Sequence, residues 1–152
     1  MYVVEQQGTI RVIAGGRVFV GTNNDEPRDE KIEGDKGVLM CFRESDGEFL
    51  WQLVHDKGEE DNESAKQGII STPCVDGDRV YSVSNNGELV CADVKGDGKT
   101  KKGKILWSFD MVKELDVFVG QASSSSPLVV GDLVYALTGN GVVANTGKLP
   151  KP

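Results

Sequence analysis

No apolar run in this chain reaches the roughly 18 residues that a bilayer-crossing helix needs, so the chain as given is not expected to span a membrane. No basic segment leads into a short apolar one after Met1 either, so no signal peptide is expected in it. Histidine is almost absent. His55 is the only one, so a Ser-His-Asp triad or a multi-histidine metal centre would hang entirely on it. At the head of an acidic loop it is expected to be a surface residue without a role. The three cysteines, Cys41, Cys74 and Cys91, are an odd number without a Cys-x-x-Cys pair, which argues against a zinc site and a complete disulfide framework. Positive charge is short as well. With 17 Lys and Arg against 24 Asp and Glu the net charge is −7, and a nucleic-acid partner would need a basic face.

Glycine, by contrast, is plentiful at 19 residues, and it punctuates a repeat. Gly37-Val38-Leu39-Met40-Cys41-Phe42 leads through Asp46-Gly47-Glu48-Phe49-Leu50 to Trp51, and Gly87-Glu88-Leu89-Val90-Cys91-Ala92-Asp93 leads through Gly103-Lys104-Ile105-Leu106 to Trp107. Upstream lie matching hairpin halves, Gly15-Gly16-Arg17-Val18-Phe19 and Gly77-Asp78-Arg79-Val80-Tyr81. A third half, Gly131-Asp132-Leu133-Val134-Tyr135, opens another copy. Equivalent valines at Val18, Val80 and Val134 set a period of roughly 55 to 60 residues, a little above that of common propeller blades.

Each full unit shows four short β-rich runs between Gly, Asp and Asn turns, near 10–13, 17–21, 38–42 and 49–53, then near 72–75, 79–83, 88–92 and 104–109. Four antiparallel strands that cannot bury their own faces make a β-propeller blade. The fold class expected is therefore all-β: a propeller segment of two to three four-stranded antiparallel blades in an incomplete ring. Residues 1–152 form one segment, with blades at about 9–53, 71–109 and, in part, 125–152. The third unit offers 127–130, 133–137 and a stub at 142–144, and lacks a tryptophan near Lys151. Propellers close with about four to eight blades, so the chain is expected to be a piece of a longer propeller or to close its ring by self-association.

The hairpin Gly-Asp-Arg-Val-Tyr, the strand ending Val-Cys-Ala-Asp, the closures Gly-Glu-Phe-Leu-Trp and Lys-Ile-Leu-Trp, and Ser125-Ser126-Pro127-Leu128-Val129-Val130-Gly131-Asp132 resemble the pyrroloquinoline-quinone-like (quinoprotein dehydrogenase-like) propeller repeats. The resemblance runs from about residue 9 to residue 148. Cys41-Phe42-Arg43 and Cys91-Ala92-Asp93 stand where that family has Ala-Leu-Asp, and Asp46-Gly47 stands where it has Thr-Gly. Quinone-dependent alcohol and sugar dehydrogenases of this kind imply pyrroloquinoline quinone held with calcium, and two adjacent cysteines over the quinone in several. This chain has no adjacent cysteines, and no Glu, Asn and Asp set matches that site residue by residue. Other members imply envelope-assembly scaffolds and an extracytoplasmic or periplasmic location. The function expected is a non-catalytic binding or scaffold module, with a dehydrogenase fragment as the alternative.

Trp51 and Trp107 close the outermost strands and are expected to be staples between blades, since a large aromatic is more often core than contact. The repeated slots of Cys41 and Cys91, and Cys74, are expected to be buried free thiols. In an antiparallel blade the long connections at 22–36, 54–70 and 110–125 all emerge at one end, where a site is usual. Their charged residues sum to −8, against +4 for the turn that carries Lys95, Lys99, Lys101, Lys102 and Lys104 at the other end. The candidate binding residues are Asn23, Asn24, Asp25, His55, Asp56, Glu59 and Glu60, facing a basic protein partner or a small ligand. Asp93-x-Lys95-x-Asp97-Gly98 fails as a calcium loop, because lysines fill the third and twelfth positions.

Overall fold

The structure is a computed structural model that describes residues 11–56, 68–117 and 125–138. Strands β1 (Arg11–Ala14), β2 (Arg17–Thr22), β3 (Lys36–Arg43) and β4 (Phe49–Asp56) form one four-stranded antiparallel sheet in chain order. Strands β5 (Cys74–Asp76), β6 (Arg79–Val83), β7 (Glu88–Asp93) and β8 (Lys104–Asp110) form a second sheet with the same order. β9 (Leu128–Val130) and β10 (Leu133–Tyr135) make a hairpin that begins a third. The innermost strands β1, β5 and β9 touch in succession. The architecture is an incomplete β-propeller of four-stranded blades.

The repeat extends to single residues. Phe19 pairs with Cys41 and Cys41 with Trp51 across the first sheet, as Tyr81, Cys91 and Trp107 do across the second. A register shift follows Cys41 in one and Cys91 in the other. The ring pairs match too: Phe19 and Trp51 lie 5.9 Å apart and Tyr81 and Trp107 6.0 Å apart, each tilted by 58°. Because side chains alternate along a strand, this set lies on one face of its blade.

That face of the first blade packs on the second. Phe19, Leu39, Cys41, Trp51 and Leu53 meet Val80, Val90, Ala92 and Val94 in one core. Trp51 is 1% exposed, and its indole N–H donates to the Val94 carbonyl at 3.0 Å. The turn after β7 also hydrogen-bonds the free edge of β4: Gln52 N–H donates to Lys101 O at 3.1 Å, and Gly103 N–H to Gln52 O at 2.8 Å. Two glycines allow that approach. A Cβ on Gly96 would sit 2.7 Å from the Trp51 ring, and one on Gly103 2.3 Å from Leu53.

Three expectations are corrected. Trp107 is 38% exposed, because no described residue lies across it as Val94 and Gly96 lie across Trp51. Cys74 is half-buried, at the inner strand of its blade, whereas Cys41 and Cys91 are fully buried. Burial pushes the Cys41 thiol up to about 12 and raises Cys91 as well, so neither is a nucleophile at neutral pH. Finally, the connection after β8 opens with a short helix, α1 (Met111–Leu115). Asp110 caps it by accepting the Lys113 amide at 3.1 Å, and Met111 is buried on Val83 and Leu89. The stub at 142–144 and the site near Lys151 lie outside the described residues.

Trp51→Ala is expected to cost about 3–5 kcal/mol, the usual loss for a buried large aromatic. Trp107→Ala, starting from a half-open ring, is expected to cost less than about 2 kcal/mol. Denaturant melts of the two variants check the difference, and equal losses would mean that the Val94 joint does not set the cost.

Candidate functional site

The long connections emerge where β2 hands over to β3 and β4 to β5, and the turn between β6 and β7 comes to the same end. Asn85 in that turn donates to the Asp56 carbonyl at 3.4 Å, joining the two blades there. The 23–35 connection is held by its own residues. Asn24 is buried, and its amide donates to the carbonyls of Ile32 at 2.9 Å and Gly34 at 3.2 Å, drawing the two arms together. Asn23 donates to Asp25 Oδ2 at 2.8 Å, and Asp29 Oδ1 accepts the Lys31 amide at 3.1 Å.

On its outer side the connection is anchored through Arg28. Its guanidinium lies 5.0 Å from the ring centres of both Phe42 and Phe49, which meet edge to face at 5.8 Å. Cation–π contact of this kind occupies a positive charge without consuming a carboxylate. Arg28 makes no ion pair among the described residues. An open hollow of about 510 Å³ results, lined by Asn24, Asp25, Pro27, Glu30, Ile32 and Glu33, with Gly34 and Asp35 completing it.

The candidate residues separate into different roles. Asp25 is exposed at the hollow, and Asn23 is half-buried beside it. Asn24 is a buried clasp rather than a contact. Asp56 is exposed but pairs with Lys36 at 2.6 Å, and that hydrogen bond holds its carboxyl below the usual range. Glu59 and Glu60 lie outside the described residues. Among the described residues, no group of three or more His, Cys, Asp or Glu side chains is placed to hold a metal ion.

His55 overturns its expectation. It is 6% exposed, projecting from β4 toward the second blade, with Nδ1 3.5 Å from Glu88 Oε2. The sequence conceals this because His55 lies next to the end of β4, beside an acidic loop, while Glu88 comes from the second blade. A signal exists in the repeat: the second copy has Glu88 where the first has Val38. Burial pushes the His55 pKa down, and Glu88 pulls it back up in part. His55 Nε2 is buried without a hydrogen-bond partner. With the proton on Nδ1, toward Glu88, that atom is an unpaired acceptor.

The turn from Lys95 to Lys104, at the opposite end, is rich in lysine and equally well fixed. Asp97 accepts the amides of Lys99 at 3.0 Å and Thr100 at 2.9 Å and the Thr100 hydroxyl, and these bonds hold its carboxyl at about 2. Around it Lys95, Lys99, Lys101 and Lys102 are exposed.

The two blades thus repeat each other down to the register shift after each cysteine. The family model of outer membrane protein assembly factor BamB matches residues 5–149. The chain belongs to that family. No curated protein matches it. Among the described residues no helix is long and apolar enough to cross a membrane.

Because the folded pKa of His55 lies below its ordinary 6.5, the folded chain binds fewer protons there than the unfolded one. Its contribution to stability is complete above pH 6.5 and is lost as pH falls from there to the lower folded value. Melts between pH 7.5 and 5 are expected to fall in the wild type and to flatten in His55→Gln. Glu88→Gln removes the group that raises the pKa, and is expected to deepen the fall. Losses from carboxylates such as Asp56, whose ordinary value is 3.8, come at lower pH. A wild-type melt that is flat across this window would show that His55 is not buried in its neutral form.

Proposed function

We propose that this chain is a non-catalytic binding or scaffold module, whose acidic long-loop end receives a basic segment of a partner protein. One observation carries the reading. The 23–35 connection is fastened on both sides, by Asn24 within and Arg28 on the phenylalanines, while Asp25, Glu26, Glu30 and Glu33 are left exposed. A fixed cluster of like charge steers an oppositely charged partner and loses little entropy on binding. The name of the matched family, an outer membrane protein assembly factor, points to the same class of work, bringing proteins together.

The test uses a lysine-rich decapeptide as probe, titrated calorimetrically at two salt concentrations. Glu26→Lys, Glu30→Lys and Glu33→Lys together are expected to weaken binding at least about tenfold and to flatten its salt dependence. A control with the same change of charge, Asp76→Lys, Asp78→Lys and Asp132→Lys in the hairpin turns of the opposite end, is expected to bind nearly as the wild type does. Equal losses in both variants, or no binding by the wild type, would overturn the acidic-end reading. Dye-linked alcohol oxidation on addition of pyrroloquinoline quinone and calcium would replace it with the dehydrogenase one.

A further inference from the structure

Besides the acidic hollow, the 23–35 connection borders a second one. Residues 28–32 on one side and 100–103 on the other, with β4 between them, enclose an open hollow of about 730 Å³. It shares only Glu30 and Ile32 with the acidic hollow. Four of its lining side chains are cations, Arg28, Lys31, Lys101 and Lys102, and all four are exposed. None of them makes an ion pair among the described residues. Two acids line it as well, but Asp29 is turned back on its own loop, where Oδ1 accepts the Lys31 amide at 3.1 Å. Positive charge is therefore in excess there, in a chain whose net charge is −7.

Two of the cations converge on one ring. The Arg28 guanidinium lies 5.0 Å from the Phe49 ring centre, and Lys101 Nζ lies 5.8 Å from the same centre. The quadrupole of the ring attracts both, yet the ring has no net charge, so two like charges brought there from different segments still repel. An anion between them relieves that repulsion. The backbone singles out the same lysine. Lys101 stands at φ 58, in the left-handed region where Gly96 and Gly98 of this turn also stand. Its only backbone task shown is to accept the Gln52 amide at 3.1 Å, which glycine would do with less strain. Strained positions of this kind gather at binding sites, where the side chain is what the strain retains.

We infer that this hollow receives an acidic segment of a partner protein, with its carboxylates on Arg28 and Lys101. Guanidinium is the cation best matched to a carboxylate, which it can hold by two parallel hydrogen bonds. The volume is that of a ligand pocket, far more than one carboxylate or one phosphate fills. Phe49, Leu53 and Val54 lie between the cations, so a segment that alternates acidic and apolar residues meets a partner for each. A bound segment would tie the connection of the first blade to the turn of the second, across the joint that Trp51 closes. Recognition must come from the local field, because the chain as a whole repels an acidic peptide. The inference is independent of the acidic-end reading, whose probe carries the opposite charge.

The test is calorimetric titration of the full chain with a capped decapeptide that alternates glutamate and leucine, and separately with inorganic phosphate. The peptide is expected to bind, more weakly as salt is raised, and to lift the denaturant midpoint of the chain. Arg28→Gln and Lys101→Gly are each expected to weaken it at least about tenfold, the usual effect of losing a hydrogen bond to a charged group. Lys99→Met, which removes the same charge from the same turn but outside the hollow, is expected to change binding less than about twofold. Lys101→Gly also separates binding from folding, since relief of the positive φ is expected to leave its own midpoint unchanged or higher. No binding by the wild type, equal losses in Lys101→Gly and Lys99→Met, phosphate binding as tightly as the peptide, or a Lys101→Gly chain that melts well below the wild type would each overturn the proposal.

Discussion

Everything described here depends on one joint, the Trp51 indole seated on the turn that follows Val94. A four-stranded blade presents two apolar faces and can bury neither alone, so its stability lies in the neighbour. Twisted sheets that touch at their inner strands diverge toward their outer ones, and the gap is widest at β4. A tryptophan fills that gap with the largest side chain available, and its one polar atom finds a carbonyl 3.0 Å away. The turn reciprocates with glycine at 96 and 103, the places where a Cβ would collide with Trp51 and Leu53. The fit is therefore written half in each blade.

The joint has two ends that differ in chemistry. Trp51, Leu53 and His55 alternate along β4, so all three face the second blade, over roughly 13 Å of strand. At Trp51 the closing bond joins neutral groups and does not titrate. At His55 it faces Glu88, and the imidazole is kept neutral by burial while the carboxylate works against that. The same stacking that satisfies hydrophobic area thus creates a titratable contact in the middle of the molecule. The second copy of the repeat lacks it, because Leu89 and Phe109 run on to Asp110 and the α1 cap instead.

Sequence and structure agree where periodicity is strong. The glycines, the paired cysteines and the tryptophans place eight strands to within a few residues, because hairpin turns and alternation leave little freedom. The failures share a cause. His55, Asn24 and Trp107 each depend on what a different segment does to them, and no local pattern records it. His55 looks idle beside acids, yet the second blade buries it against Glu88. Asn24 looks like a ligand in a polar loop, yet its carbonyl partners lie 8 and 10 residues on. Trp107 has the same neighbours as Trp51 on its own sheet, and differs only in the absence of a described turn across it. The short α1 was hidden because five residues are too few to show a helical period.

The acids of the 23–35 connection and the lysines of the 95–104 turn are kept apart by topology rather than by composition. With a net charge of −7 the chain has acids to place, and antiparallel blades offer two ends that never mix. The lysines sit in the one turn that must lie over Trp51, where the chain is held by backbone bonds to Gln52 and by the Asp97 network. Asp25, Glu26, Glu30 and Glu33 sit on the 23–35 connection of the first blade, where Asn24 and Arg28 hold the chain. In both cases the groups that fix the backbone are distinct from the groups that carry the exposed charge. A disordered fringe would need neither clasp, and a flexible loop would pay on binding the ordering entropy that Asn24 and Arg28 have already paid. That division of labour is the physical basis on which the acidic end is proposed as a surface for recognition.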